Sequence, residues 1–382
     1  MKKTLNYIRK IYNDSDGFIP LHAPVFLGNE KKYLNECIDS TFVSSVGKFV
    51  NQFEQMTSEY VGSKYAIAAA NGTAALQIAL ILAGVKNGDE VVTQALTFVA
   101  TANAIKHSQA NPIFVDVDRD TLGMSPERLK DWLQENAVIN SKGEAINKTS
   151  KKKISAIVPM HTFGLPCRIN EIVDIANEYR IPVVEDSAES LGSFVNAKHT
   201  GTFGLLGVFS YNGNKTITTG GGGMIVTDNE ELAKRAKHIT TTAKIPHPFE
   251  YDHDEIGYNY RLTNLAAAMG VAQMENLNQI IENKRKTASL YINYFVETAN
   301  HFFQEQNGSK SNYWLNSISF SEPSQRDDFL KFSNDNGIMT RPIWKLMNKL
   351  EMFKKCQCGD LSNSEWLEAR VVNLPSSYNK FL

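Results

Sequence analysis

The chain has 382 residues, 42% of them apolar and 21% charged, with a formal net charge of −1. That length suits one large domain plus a smaller one. The even charge balance argues against a nucleic-acid protein, which would carry a basic excess, and gives no reason to expect an anionic membrane as partner. The four cysteines, Cys37, Cys167, Cys356 and Cys358, are scattered as reduced thiols would be, and the lone C-x-C at 356–358 lacks further ligands for a metal.

The N-terminal stretch MKKTLNYIRKIYNDSD has no apolar core and does not read as a signal peptide. No run approaches the roughly 18 apolar residues of a membrane span. A cytoplasmic protein is expected. From residue 60 to 230 short β-rich runs alternate with helical patterns. Strands are predicted at 65–70, 90–94, 112–117, 154–159 and 181–186, and helices at 73–84, 98–108, 125–136 and 168–179. This alternation predicts an α/β fold with a mostly parallel sheet and helices on both faces. Residues 261–286 read as one long helix. Beyond it come a strand at 312–320, a helix at 324–337 and a short strand at 338–344. The expected division is a large domain over 1–280, including the N-terminal segment, and a small α+β domain over 281–382.

Sheets of this kind bind ligands beyond the carboxyl ends of their strands, so the residues that follow each strand matter most. After the first strand, Gly72 supplies a tight turn and Thr73 is an expected N-cap, which together make a helix N-terminus able to hold phosphate. After the second comes Phe98, an aromatic that could stack on a flat ligand. After the fifth, Glu185, Asp186 and Glu189 place three carboxylates at the end of an apolar strand, where a cationic partner such as a protonated ring nitrogen would explain Asp186. Taken singly, these features also fit an ordinary strand–turn–helix junction, a core phenylalanine and a pair of capping acids.

The stretch GVFSYNGNKTITTGGGGMIVT holds one basic residue, Lys215, among Ser210, Asn212, Asn214 and a four-glycine run at 220–223. Such surroundings disfavour the charged form and favour a nucleophilic amine able to form imines with carbonyls. A nucleotide-binding P-loop is excluded: Asn214 separates Gly213 from Lys215, and the glycines follow the lysine. They fit a hairpin that brings backbone close to it. A phosphate seat, an aromatic face, an acid for a ring nitrogen and an imine-forming lysine are the four attachments of pyridoxal 5′-phosphate. A dinucleotide-binding oxidoreductase would need G-x-G-x-x-G after the first strand, which NGTAAL does not supply.

The segments NGTAAL, TFVATANA, FVDVD, EDSAESLGS, FSYNGNKTITTGGGGMIVT and IGYNYRLTNLAAAMG resemble the DegT/DnrJ/EryC1/StrS family of sugar aminotransferases, in register over about residues 20–345. The resemblance implies the type I aminotransferase fold and a homodimer with shared active sites. It implies that Lys215 is the Schiff-base lysine, that Asp186 faces the pyridine nitrogen and that Glu189 lies near the phenolic oxygen. By the same resemblance Gly72, Thr73 and Ser210 contact the phosphate, Phe98 stacks on the ring and Asn259 reaches the phosphate from the neighbouring subunit. Arg261 and Arg341 lie where relatives contact the nucleotide sugar, with glutamate as amino donor. Residues 19–50 resemble the branch acting on UDP-linked 4-keto-6-deoxy-N-acetylglucosamine. A sugar dehydratase of the same fold and a non-catalytic regulator are the alternatives; retention of Lys215 favours transamination over dehydration.

Overall fold

The computed structural model describes residues 1–382. Seven strands form the central sheet: β1 (Tyr65–Ala69), β2 (Glu90–Gln94), β3 (Asn111–Val115), β4 (Ile154–Val158), β5 (Val184–Asp186), β6 (Leu206–Ser210) and β7 (Gly223–Thr227). Parallel bridges from Ile157 to Val183 and from Met160 to Asp186 join its two halves, giving the order β3-β2-β4-β5-β6-β7-β1. Only β7 runs antiparallel to its neighbours, with Ser210 opposite Gly223 and Ala69 opposite Gly223. It is the return arm of a hairpin whose loop, 211–222, carries Lys215. These strands are buried on both faces, which is why they appear in the sequence as continuous apolar runs.

Helices cover both faces. The first three are α1 (Lys2–Tyr12), α2 (Glu30–Asp39) and α3 (Lys48–Val61), and α4 (Gly72–Leu82) follows β1. Helix α4 is apolar almost all round because it lies within the core, with Ile78, Ala79 and Leu80 fully buried. Next come α5 (Val99–His107), α6 (Pro126–Asn136), α7 (Ile169–Glu178), α8 (Glu230–Thr240), α9 (Asn264–Glu275) and α10 (Leu277–Phe295). None is long and apolar enough to cross a membrane.

The C-terminal layer is an antiparallel sheet of β8 (His301–Phe302), β9 (Asn316–Ser319), β10 (Arg341–Pro342) and β11 (Val371–Leu374), in the order β8-β9-β11-β10. Helix α11 (Pro323–Asp335) and α10 pack on it. Helix α1 joins this C-terminal core through Leu5, Ile8 and Ile11, although it opens the chain.

Three expectations need correction. The single helix expected over 261–286 is two, α9 and α10, broken at Asn276. Its amide side chain donates to the Ala272 carbonyl at 3.0 Å, a local bond that competes with helix continuation. The strand expected over 312–320 begins only at Asn316, because Tyr313 turns with φ 48° and Asn312 spends its side chain on other loops. Of 338–344, only Arg341 and Pro342 pair as strand.

Candidate active site

The carboxyl ends of β1, β2, β4, β5 and β6 meet at one edge of the sheet, together with the start of β7. Gly72 there opens α4, and a Cβ on it would meet Ser210 Cβ at 2.9 Å and Ser210 Oγ at 3.1 Å. A Cβ on Gly223 would meet the Asn71 carbonyl oxygen at 2.5 Å and the Gly72 nitrogen at 2.9 Å. Glycine at both positions lets the hairpin lie directly against the helix N-terminus. The N-cap is Asn71, not Thr73: Asn71 is extended (φ −166°, ψ 167°) and its side chain accepts from Ala74 N–H at 2.8 Å. Thr73 lies in the first turn. With Ala74 and Ala75 bonded to Asn71, the Gly72 and Thr73 N–H groups stand at the open end of the helix beside Ser210.

The three carboxylates after β5 have three separate surroundings. Glu185, fully buried, accepts from the backbone N–H groups of Gly201 (2.8 Å), Phe203 (2.6 Å) and Gly204 (2.7 Å). His161 also reaches it at 3.1 Å. The other ring nitrogen of His161 accepts from Cys167 N–H, so Nε2 carries the proton toward Glu185. Glu185 is thereby saturated by the scaffold. Asp186 accepts from Thr101 Oγ1 at 2.7 Å and from Ala188 N–H at 3.2 Å. It is buried, and neither of these partners carries a positive charge. Glu189 accepts from Phe163 N–H at 2.9 Å on Oε2 and from Lys215 Nζ at 3.1 Å on Oε1. Burial pushes its carboxyl up to about 6, opposed by the Lys215 charge.

Lys215 is less solitary than its sequence window suggests. Besides Glu189, it lies over the Trp314 ring, 4.1 Å from the centroid. Neither contact is visible from its neighbours in sequence. Trp314 is held in turn by its Nε1–H bond to the Asn214 carbonyl at 2.7 Å. Asn312 donates to the Glu189 and Leu191 carbonyls, each at 2.9 Å. The C-terminal layer therefore fixes both loops that carry Glu189 and Lys215.

Phe98, Glu189, Lys215, Trp314, Arg341 and Trp344 line one cleft of about 440 Å³. The Phe98 ring is 46% exposed and approaches Trp344 with centroids 6.0 Å apart. Asn259 and Arg261 do not line this cleft within one chain. Asn259 accepts from Arg261 at 3.2 Å, and Arg261 borders a separate depression with Lys244 and His247. Thr101, Phe163, Asn312 and Trp314 were not anticipated from sequence. Their roles come from partners distant in the chain, which leave no local signal.

The family comparison matches residues 27–380 to the DegT/DnrJ/EryC1/StrS aminotransferase family. The chain belongs to the DegT/DnrJ/EryC1/StrS aminotransferase family. It is a pyridoxal phosphate-dependent enzyme of the nucleotide-sugar aminotransferase class. It is 39% identical over 363 residues to a GDP-perosamine synthase of Escherichia coli O157:H7, covering 94% of this chain and 93% of that one. It is 38% identical over 336 residues to the protein EpsN of Bacillus subtilis, covering 88% of this chain and 84% of that one. A solved DegT/DnrJ/EryC1/StrS aminotransferase of Brucella abortus superposes with a TM-score of 0.82 at 27% identity, covering 91% of this chain and 90% of that one.

The residues fit the cofactor of this aminotransferase family. The Gly72–Ser210 cradle leaves no room for a Cβ and presents N–H groups, as a phosphate requires. Asp186 is a buried carboxylate that a ring N–H would satisfy. Lys215 supplies an amine and Phe98 a half-exposed aromatic side chain to the same cleft.

Proposed function

We propose that the enzyme transfers the amino group of glutamate to the C4 ketone of a nucleotide-linked 4-keto-6-deoxy sugar, as a cytoplasmic homodimer. The observation that carries this reading is the joint placement, along one sheet edge, of the Gly72–Ser210 cradle, the buried Asp186 and the Lys215 amine, beside a cleft rimmed by Phe98 and Arg341. Pyridoxal phosphate, when bound, supplies an aldehyde for the Lys215 amine and an electron-withdrawing ring. Asp186, oriented by Thr101, would face the ring nitrogen and keep it protonated. The Lys215 amine would hold the cofactor and, once free, serve as the base and then the acid for the substrate's proton. Phe98 would offer its face to the cofactor ring, Trp344 an aromatic face for the sugar nucleotide, and Arg341 a cation for its phosphates.

Exposed apolar residues support the dimer. Phe42, Val46, Phe249, Tyr251 and Ile256 are all more than half exposed, a surface that a second copy would cover. Asn259 and Arg261 follow shortly after in sequence, and the dimer would carry them to the neighbouring cleft.

The GDP-perosamine synthases among the relatives favour a GDP-linked sugar. The second reading is the UDP-linked acetamido sugar, supported by the resemblance of residues 19–50. The enzyme incubated with glutamate and either GDP- or UDP-linked 4-keto-6-deoxy sugar should release 2-oxoglutarate and aminated sugar in equal amounts. No 2-oxoglutarate with either sugar contradicts the proposal and leaves the non-catalytic alternative. Loss of water or ammonia without amination points to the dehydratase.

A further inference from the structure

The contact between Glu189 and Lys215 has a consequence for the proton that the lysine carries. Glu189 is 2% exposed, and the Lys215 side chain 12%. The two carboxylate oxygens have distinct partners. Oε2 is tied to Phe163 N–H, a fixed donor that cannot give up its proton. Oε1 faces only Nζ of Lys215. No other cation bonds to Glu189, and the next charge facing it, Asp186 from β5, is negative. On the lysine side, Trp314 covers the nitrogen, and His22 of the N-terminal segment feels its charge. Arg341 and Lys345 stand at the rim of the cleft. A carboxylate in such a place is stable while the nitrogen beside it is positive. Once that nitrogen loses its charge, the carboxylate is buried and unpaired next to a second acid, a state that burial strongly disfavours.

We propose that Glu189 is the proton partner of Lys215: Oε1 stabilises a proton on the lysine nitrogen and receives that proton when the nitrogen gives it up. In that step the N–H bond breaks, an O–H bond forms on Oε1, and the pair keeps one proton between them. Glu189 is in this sense a positioning residue that sets the protonation of the catalytic nitrogen, and the two titrate as a pair. The inference rests on the reading of Lys215 as the cofactor-bearing amine, but not on the identity of the sugar.

The test is a pH titration of the visible absorbance of the cofactor on the intact holoenzyme, without substrate. Glu189→Gln keeps the shape and an oxygen for Phe163 N–H while removing the negative charge. The midpoint for loss of the proton from the lysine nitrogen should fall by about one pH unit or more, a tenfold or greater change in the proton's affinity. Glu189→Asp, which keeps a carboxylate, should recover at least part of that shift. Should the Gln variant not fold, Glu189→His supplies a neutral replacement at pH above 7 and should show the same fall. Equal midpoints in the wild type and the neutral variant overturn the proposal, as does an Asp variant that shifts as far as the Gln variant. Failure of the sugar assay with a shifted midpoint would contradict the sugar-amination reading and leave this pairing intact.

Discussion

Lys284 offers a test of the energetics in which the sign of the effect reverses with pH. It sits on α10 with 1% of its surface exposed, and its Nζ has one acceptor, the Ser376 carbonyl at 2.6 Å. Burial pushes its pKa from 10.5 down to about 7. The unfolded chain holds this proton up to about pH 10.5, whereas the folded chain releases it near pH 7. Between those values the unfolded state binds more protons, so stability rises with pH across the window. At about 1.4 kcal/mol per pH unit, the buried amine lowers stability by about 4 kcal/mol at neutral pH, and by almost nothing above the unfolded pKa. Lys284→Met keeps a similar side-chain volume and removes the amine. It also strands the Ser376 carbonyl, at about 1–3 kcal/mol. The variant should therefore be more stable than the wild type by about 1–3 kcal/mol near pH 6–7, a Tm increase of roughly 1–4 °C for a chain of this length. Above pH 10.5 the order should invert, because only the lost hydrogen bond remains. Thermal unfolding of both proteins from pH 6 to pH 11 measures this. Parallel Tm curves, or a Met variant less stable at pH 7, would refute the assignment of Lys284 as a buried amine paired only with Ser376.

Thr101→Val removes the hydroxyl that donates to Asp186. It should weaken cofactor retention roughly tenfold to a hundredfold, the worth of about 1.5–3 kcal/mol for a hydrogen bond to a charged group, whereas Thr101→Ser should retain cofactor like the wild type; equilibrium dialysis reads both. Gly223→Ala puts a methyl group 2.5 Å from the Asn71 carbonyl oxygen, where backbone cannot swing aside. It should destabilise the fold by about 1–3 kcal/mol and loosen the cofactor together, and a variant with unchanged Tm and retention would show that the hairpin and helix do not meet as described.

The layer order was legible because interior strands of a parallel sheet are buried on both faces and leave apolar runs such as EVVTQ and ISAIV. The ends of the predicted strands carry Gly72, Phe98 and Asp186, whereas Lys215 stands out as the one basic residue of its stretch. Strands β6 and β7 were not among the predicted strands. In β6 the interior residue Gly207 breaks the β-rich pattern. It is glycine because a Cβ would meet the Gly201 carbonyl oxygen at 1.9 Å. The pairing of Lys215 with Glu189 spans 26 residues, and that of Asp186 with Thr101 spans 85. No local spacing signals either. Asn312 reaches Glu189 across 123 residues and turns what reads as a strand into a loop. In each case the tertiary contact, rather than the propensity of the segment, decided the outcome. The last residues of the chain carry no legible motif, yet Ser376 accepts from Lys284 and bonds through its N–H to Leu21 at the edge of the cleft.

The central claim is that the Lys215 nitrogen carries the cofactor opposite Asp186. Borohydride reduction of the yellow holoenzyme, followed by proteolysis and mass mapping, should place a single reduced pyridoxyl group on the peptide containing Lys215, and Lys215→Ala should yield none. A reduced adduct on any other lysine, or a label that persists in Lys215→Ala, would contradict it.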